Sequence, residues 1–165
     1  MALDMHLKLE GGSVTFTGDS KHKGHTDQIP LLAWSWGMSQ SGSFTSGGSG
    51  GGAGKANVQD ISFTKYLDKS STQFIKALVT GAHMDKATLY MSKAGGKQED
   101  FLVVTMEHVM VTSYSTGGSG GEDMITENIS LTFGKFTFEH FGQKADGSVA
   151  STGKTTYDME AVSDT

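Results

Sequence analysis

The sequence predicts a mainly β protein: a compact β-barrel of two antiparallel sheets with one flanking α-helix and a long Gly-rich extended loop. Several segments alternate polar and apolar residues with a period of two, whereas one segment has the spacing of an amphipathic helix. The chain contains 23 glycines and one proline, which indicates many tight turns and few rigid breaks. A length of 165 residues suits a single domain, 1–165.

Composition excludes several classes of protein. The net charge is −5, the pI is about 5.6 and every basic residue is lysine, so a nucleic-acid partner is not expected. Without cysteine the chain has no disulfides and no thiol nucleophile. No apolar run approaches the ~18 residues of a membrane span, so membrane insertion is not expected. The N-terminus lacks the basic start and apolar block of a secretory signal, so no cleaved signal peptide is expected.

The first third of the chain is predicted to contain strands and a polar loop. Residues 3–10 alternate apolar and polar side chains, which is typical of a half-buried strand. Residues 14–17 are expected to return as a short hairpin partner, and residues 18–28 to form a polar loop. Residues 29–39 are predicted as one strand with a heavy face. That face carries Leu32, Trp34, Trp36 and Met38.

A Gly-rich segment and the only predicted helix follow. Residues 41–54 read SGSFTSGGSGGGAG, which is too poor in apolar side chains to form an element of its own. Residues 57–67 are predicted as a strand that buries Ile61, Phe63 and Leu67. A helix is predicted over 70–80, with Ser70 and Gln73 as a capping box and Gly81 as the left-handed stop.

The second half is predicted to contain three strands at 87–93, 101–114 and 124–141. Turns are expected at 94–96 and 115–121, where glycines cluster. The apolar positions change parity across Gly134 and Lys135, which predicts a β-bulge there. The tail, 148–165, is polar and variable, with one edge strand near 155–159.

No enzyme active site is expected. The string G-x-S-x-G occurs around Ser49 and around Ser119, but each serine lies in a Gly-rich loop followed by a strand, whereas a nucleophile elbow needs a strand before it and a helix after it. The six histidines are expected mainly at the surface, with His108 facing a polar interior, and no metal or cofactor is expected. Trp34 and Trp36 could stack on a sugar, although filling the core is the favoured interpretation.

Four segments of the sequence form a distinctive set: 32–42 (LAWSWGMSQSG), 51–66 (GGAGKANVQDISFTKY), 93–96 (KAGG) and 115–123 (STGGSGGED). Together they resemble Hcp, the haemolysin-coregulated protein family of bacterial type VI secretion. They lie in the family's order and spacing, and the resemblance extends from residue 1 to about residue 147. The tail departs from it, because family members often end in a strand containing tryptophan, whereas this chain has Tyr157 in that region.

This resemblance implies a structural role. Family likeness implies β-barrel subunits with one helix that close into hexameric rings, which stack into an inner tube. A contractile sheath and a spike are the implied partners, and secreted effectors the implied cargo in the lumen. The implied localisation is the bacterial cytoplasm before firing, followed by secretion.

The resemblance also directs attention to three groups of residues. A ring and tube contact loop is expected at Ser41, Gly42, Ser43, Phe44, Thr45, Gly47, Gly48, Gly50, Gly51, Gly52 and Gly54. A second Gly-rich turn comprises Gly117, Gly118, Ser119, Gly120 and Gly121, and the lumen is expected to be lined by Ser35, Gly37, Ser62 and Thr64. Two other functions remain open: a β-sandwich carbohydrate-binding module that uses Trp34 and Trp36, and a hydrolase that uses Ser49 or Ser119.

Overall fold

A nine-stranded antiparallel sheet dominates the computed structural model, which describes residues 3–43, 52–53, 55–93, 99–161 and 163–164. The mainly β class with one helix is therefore confirmed. The elements in chain order are β1 (Leu3–Glu10), β2 (Ile29–Pro30), β3 (Ala33–Ser35), β4 (Met38–Ser39), β5 (Gly42–Ser43), β6 (Gly52–Ala53), β7 (Asn57–Val58), β8 (Ile61–Tyr66), α1 (Ser71–Thr80), β9 (His83–Lys93), β10 (Asp100–Gly117), β11 (Thr126–Gln143), β12 (Val149–Asp158) and β13 (Ser163–Asp164).

The long strand β11 organises the sheet. One edge of β11 pairs with β10 from residue 126 to residue 140, whereas the other edge pairs with β8 in its first half and with β12 in its second half. The sheet continues from β10 through β9 and β1 to β2, and β3 pairs with β8. The sheet curls into a half-barrel, and two small ladders, β4 with β7 and β5 with β6, accompany it.

The helix closes one side of the core. Phe74 is completely buried and its ring lies 4.8 Å from that of Phe16 and 5.7 Å from that of Phe63. Val79, on the outer side of the helix, is 75% exposed. Within the described part of the chain, no helix is both long enough and apolar enough to cross a bilayer.

The helix ends as predicted but begins differently. Gly81 has φ +65 and its backbone N–H reaches the last turn, so the left-handed stop is confirmed. Ser70 stands at the N-cap, but its side chain makes no cap hydrogen bond, and its N–H and Oγ donate to Asp68 instead. The Gln73 side chain accepts from the backbone N–H of Thr17. The predicted capping box is therefore wrong, because both of its members bind outside the first turn.

The change of parity in β11 is present, but the predicted bulge at Gly134 and Lys135 is wrong. Glu107 pairs with Lys135 and Val109 with Phe133, so the register does not shift. Instead, the register skips one residue in each strand at the same level: His108 in β10 and Gly134, opposite it, in β11. His108 adopts φ +56. In β9, Lys86 pairs with Glu107 and Met84 pairs with Val109, so the register also skips Asp85 at this level. The apolar face therefore switches sides in three strands at once.

Several smaller expectations fail in the first third and the tail. Residues 14–17 form no strand, although Val14 is buried and Phe16 packs against the core. The predicted strand 29–39 is divided into β2, β3 and β4. The expected edge strand at 155–159 is longer than predicted and forms β12.

Two expectations for single side chains are also wrong. His108 is exposed, and it contacts Glu160 at 3.2 Å. Leu67 is 52% exposed, because β8 ends at Tyr66 and Leu67 lies beyond the strand that was expected to bury it.

Lys65 and Glu127 form a completely buried ion pair between β8 and β11. Lys65 Nζ lies 2.6 Å from Glu127 Oε1 and 2.9 Å from Asp68 Oδ1, and it donates to the backbone carbonyl of Tyr66. Ser71 donates from its hydroxyl to the same Glu127 oxygen. Because a buried charge is costly unless it is paired and hydrogen-bonded, this network fixes β8, β11 and the start of α1 relative to one another.

Tyr114 completes this network from β10. Its hydroxyl donates to Glu127 Oε2. Burial, followed by the hydrogen bond to Glu127, raises the pKa of Tyr114 to about 12. The phenol therefore stays protonated and remains a donor to Glu127 at every pH at which the protein is handled.

Replacing one member of the buried pair is expected to destabilise the fold strongly. Lys65→Met leaves the Glu127 carboxylate buried without its cation, and we expect the free energy of unfolding in urea at neutral pH to fall by about 3–5 kcal/mol. Adding Glu127→Leu removes the remaining charge, so the double variant should lose clearly less than the sum of the two single variants.

The matched control is Lys135→Met. Lys135 Nζ lies 3.6 Å from Glu107 Oε2 across β10 and β11, and both side chains are more than one third exposed. A loss of less than about 1 kcal/mol is expected there. Equal losses in the Lys65 and Lys135 variants, or strict additivity of Lys65→Met and Glu127→Leu, would contradict this account.

Candidate functional site

Four adjacent strands, in the order β3, β8, β11 and β10, present two rows of small polar side chains. One row consists of serines: Ser35 pairs with Ser62, Ser62 with Ser130, and Ser130 with Ser113. In the next row Ala33 pairs with Thr64, Thr64 with Asn128, and Asn128 with Ser115. We call this surface the hydroxyl face, comprising Ser35, Ser62, Thr64, Ser113, Ser115, Asn128 and Ser130.

Hydrogen bonds across the strands order the hydroxyl face. The hydroxyls of Ser62 and Ser130 lie 2.8 Å apart, and Thr64 donates to the Asn128 side-chain oxygen at 2.8 Å. The alternate residues Phe63 and Ile129 point into the core and are 3% and 1% exposed. Because successive side chains of a strand point to opposite faces, the buried residues fix the outward direction of the hydroxyl face.

The hydroxyl face lines an open concavity of about 250 Å³. Its lining contains no charged side chain among the described residues. A second concavity of about 440 Å³ lies beside it and shares Ser115 and Asn128. The second Gly-rich turn lines this neighbour through Gly117, Gly118 and Ser119. The two features that the sequence treats separately therefore form one continuous polar surface.

The structure brings three of the four expected lumen residues together. Ser35, Ser62 and Thr64 lie on the hydroxyl face, whereas Gly37 lies beyond the end of β3, where its carbonyl accepts from the backbone N–H of Gln59. The other members of the hydroxyl face, Ser113, Ser115, Asn128 and Ser130, were not predicted. Polar residues alternate at 113 and 115 and at 128 and 130, which is the only local sign of them. The strand register is needed to place these positions in line with Ser62 and Thr64.

The expected contact loop is described only at its base. Gly42 pairs with Ala53 and Ser43 with Gly52, which gives the loop a two-stranded base after Ser41. Phe44, Thr45, Gly47, Gly48, Gly50, Gly51 and Gly54 lie outside the described residues, as does Ser49.

Both tryptophans pack against the core. The indole N–H of Trp34 donates to Met91 Sδ, and that of Trp36 donates to the Gln59 carbonyl. The Trp36 ring lies 4.9 Å from that of Phe136 and 6.4 Å from that of Phe138. The favoured interpretation as core residues therefore agrees with these contacts.

An apolar groove of about 230 Å³ lies at another part of the surface, where the end of β8 meets the segment before β11. Its apolar walls are about half exposed: Leu32 40%, Tyr66 40%, Leu67 52% and Met124 54%. Asp19 and Asp68 also line it. Exposed apolar surface of this kind commonly marks a protein contact.

A family model and a relative of known name both point to one family. Residues 6–140 match the family model described as type VI secretion system effector, Hcp. The chain is 53% identical over 149 residues to the protein hcp1 of Pseudomonas aeruginosa, with 90% of this chain and 89% of that protein covered.

Solved structures agree with this match. A type six secretion system protein superposes with a TM-score of 0.90 at 26% identity, covering 99% of this chain and 100% of the other. Hcp1 from Salmonella typhimurium gives a TM-score of 0.78 at 29% identity, with both chains fully covered. The cap that terminates the tube of the anti-feeding prophage shares the fold alone, at 11% identity and a TM-score of 0.55 over 82% of this chain and 87% of that one. The chain therefore belongs to the Hcp family of type VI secretion proteins.

Proposed function

We propose that this chain is a structural subunit of the type VI secretion inner tube. In this proposal six copies close into a ring, rings stack into a hollow tube, and the tube carries effectors and is itself secreted. The observation that carries the proposal is the family match over residues 6–140, because it spans the helix and most of the curled sheet, from β1 to the greater part of β11. The role is structural and not enzymatic.

The hydroxyl face is proposed to line the lumen, with Gly37 near its border. A tube that carries different effectors needs a wall that binds none of them too tightly. Hydroxyl and amide groups can donate or accept hydrogen bonds, and they are well hydrated when no cargo is present. Among the described residues, the concavity of the hydroxyl face has no charged group in its lining and the adjoining concavity has only Glu122, which supports this role because a strongly charged wall would select cargo by its charge.

The ring requires a heterologous contact, in which one surface of a subunit meets a different surface of the next. The apolar groove is proposed to form one side of that contact, because burying Leu67 and Met124 against a second copy would remove exposed apolar area from water. The Gly-rich loop 41–54 is proposed to reach a neighbouring subunit or ring from its two-stranded base. Contact with a neighbour would offset the entropy that ordering so many glycines costs.

Further partners follow from this role. A contractile sheath would surround the tube and a spike would cap it, and effectors would occupy the lumen. The protein would reside in the bacterial cytoplasm before firing and leave without cleavage of a signal peptide. A carbohydrate-binding module, the alternative function, would instead be a monomer, so the oligomeric mass separates the two functions.

A charge in the apolar groove is expected to disrupt the ring. The native chain should show a mass near six subunits of 17.5 kDa by size-exclusion chromatography with light scattering. Leu67→Asp would bury an unpaired carboxylate in each contact and should raise the concentration for half-assembly by about tenfold or more.

The matched control is Val79→Asp. Val79 is 75% exposed on the outer side of the helix, and this variant should keep the native mass. A monomeric native chain at high concentration would contradict the proposed function, whereas a native mass for Leu67→Asp would reject only the groove as the contact.

Shortening the Gly-rich loop is expected to affect assembly and not folding. Deleting residues 47–52 should preserve the far-ultraviolet circular dichroism spectrum, because the nine described strands of the curled sheet are formed by other residues. The deletion should reduce the ring mass or shorten the tubes seen by electron microscopy. A loop of native length with Gly and Ser interchanged serves as the control, and unchanged ring mass with unchanged tube length would reject the loop as a contact.

The direction of the hydroxyl face is testable because the chain has no cysteine. Asn128→Cys should react with a small maleimide in rings but slowly with a maleimide attached to a globular protein, because the lumen excludes bulky reagents. Val79→Cys should react with both reagents. Rapid reaction of Asn128→Cys with the bulky reagent in intact rings would place this face outside the lumen.

A further inference from the structure

Three histidines, one in β1 and two in the loop 18–28, form a compact cluster on the outer side of β1. The rings of His6 and His25 are stacked, with centroids 4.6 Å apart and planes 9° from parallel. The ring of His22 lies 5.0 Å from that of His6 and 5.7 Å from that of His25. His6 and His25 are 5% and 6% exposed, so the expectation of a surface position is wrong for these two histidines.

The cluster joins a loop to the sheet. His6 belongs to β1, whereas His22 and His25 belong to residues 18–28, which we call the docked segment. The Nε2 of His22 lies 3.5 Å from Asp4 of β1, and the Nε2 of His25 lies 3.0 Å from Asp100 of β10. Inside the docked segment, Asp27 adopts φ +63 and backbone hydrogen bonds connect Gly18 to Asp27.

Among the described residues, two carboxylates face the three imidazoles. Asp100 faces His25, whereas Asp4 faces His22 and its charge also acts on His6. Within the same described residues, Nδ1 of His6 and Nε2 of His22 are buried and make no hydrogen bond. The other titratable neighbour is Tyr90 of β9, which pairs with His6 and whose ring lies 4.9 Å from that of His25. Lys8, the next residue on this side of β1, pairs with Glu10 at 3.0 Å.

We propose that His6, His22 and His25 form a proton-dependent switch that keeps the docked segment on the sheet at neutral pH and releases it in acid. The three imidazoles share two carboxylates, Asp4 and Asp100, so protonation of all three would leave one positive charge unpaired in a largely buried space. Opening of the segment exposes all three rings to water and removes that cost. Metal binding does not explain the cluster. Among the described residues, no three His, Cys, Asp or Glu side chains are arranged so that they could hold a metal ion together.

The direction of the pH effect follows from the environment of His6. Burial, and then the charges of His25 and His22, lower the pKa of His6 from 6.5 to about 4, against the opposing effect of Asp4. A released His6 regains its ordinary pKa, so the released state binds more protons between these two values. The contribution of His6 to docking is therefore fully present above about pH 6.5, and it weakens progressively as the pH falls toward 4.

The switch is tested by hydrogen exchange of the full chain, measured by mass spectrometry and corrected for the intrinsic effect of pH on exchange. From the two pKa values of His6, the docking equilibrium should fall roughly 30-fold between pH 8 and pH 5. Protection of peptides from the docked segment should fall correspondingly, while peptides from β10 and β11 keep their protection. Loss of protection in all peptides together would overturn the proposal, since it would indicate general unfolding.

Two variants and a direct titration make the test specific. His6→Phe keeps an aromatic ring beside His25 but cannot bind a proton, so it should retain most of the protection at pH 5; His6→Gln serves if phenylalanine does not fit. The control is His83→Gln, at an exposed histidine at the start of β9, which should show the native loss. A native loss in the folded His6 variants, or an NMR titration that places the pKa of His6 near 6.5, would overturn the proposal.

Discussion

The register of β8 on β11 is the constraint on which the candidate site depends. Glu127 opposite Lys65 sets this register, because the buried ion pair cannot form if either strand slips by one residue. A slip of one position would move Phe63 to the solvent and Thr64 into the core. The ion pair inside the molecule therefore determines which chemical groups the outer surface presents.

This coupling explains why polar residues occur on both faces of the same two strands. Inside, the Lys65 ammonium is surrounded by oxygen atoms from Glu127, Asp68 and the Tyr66 carbonyl. Outside, the side chains of the hydroxyl face are neutral and form hydrogen bonds with one another across the strands. The buried ion pair restricts the register to one choice, whereas the hydroxyl face remains open to solvent and to other molecules. Replacing the ion pair with apolar side chains would keep the burial but remove much of this restriction.

Much of the fold could be predicted from local patterns in the sequence. Alternation located β1, β-branched and aromatic content located β9, β10 and β11, and the Gly81 stop located the end of α1, because these signals depend on neighbouring residues alone. What could not be predicted depends on contacts between distant segments. Ser70 and Gln73 have the spacing of a capping box, but Asp68 and Thr17 provide their partners. Three residues of the hydroxyl face were expected, and their neighbours across the strands required the register.

The histidines show the same limit in another form. His6 occupies a polar position in an alternating strand, so its sequence context indicates an exposed side chain. It is buried because the docked segment covers it, and no local pattern in residues 18–28 specifies which part of the sheet that segment will cover. Burial of a polar side chain by a loop is thus the class of feature that periodicity misses.

The level at which β9, β10 and β11 all switch their apolar face has a consequence for how this protein can vary. Asp85, His108 and Gly134 lie at that level, and the Glu160 side chain occupies the space that a Cβ at Gly134 would need. Insertion or loss of a single residue near this level would reverse the sidedness of one strand relative to its two neighbours. Related chains that differ in length here would therefore need compensating changes in all three strands, which makes this level a natural marker for aligning distant members of the family.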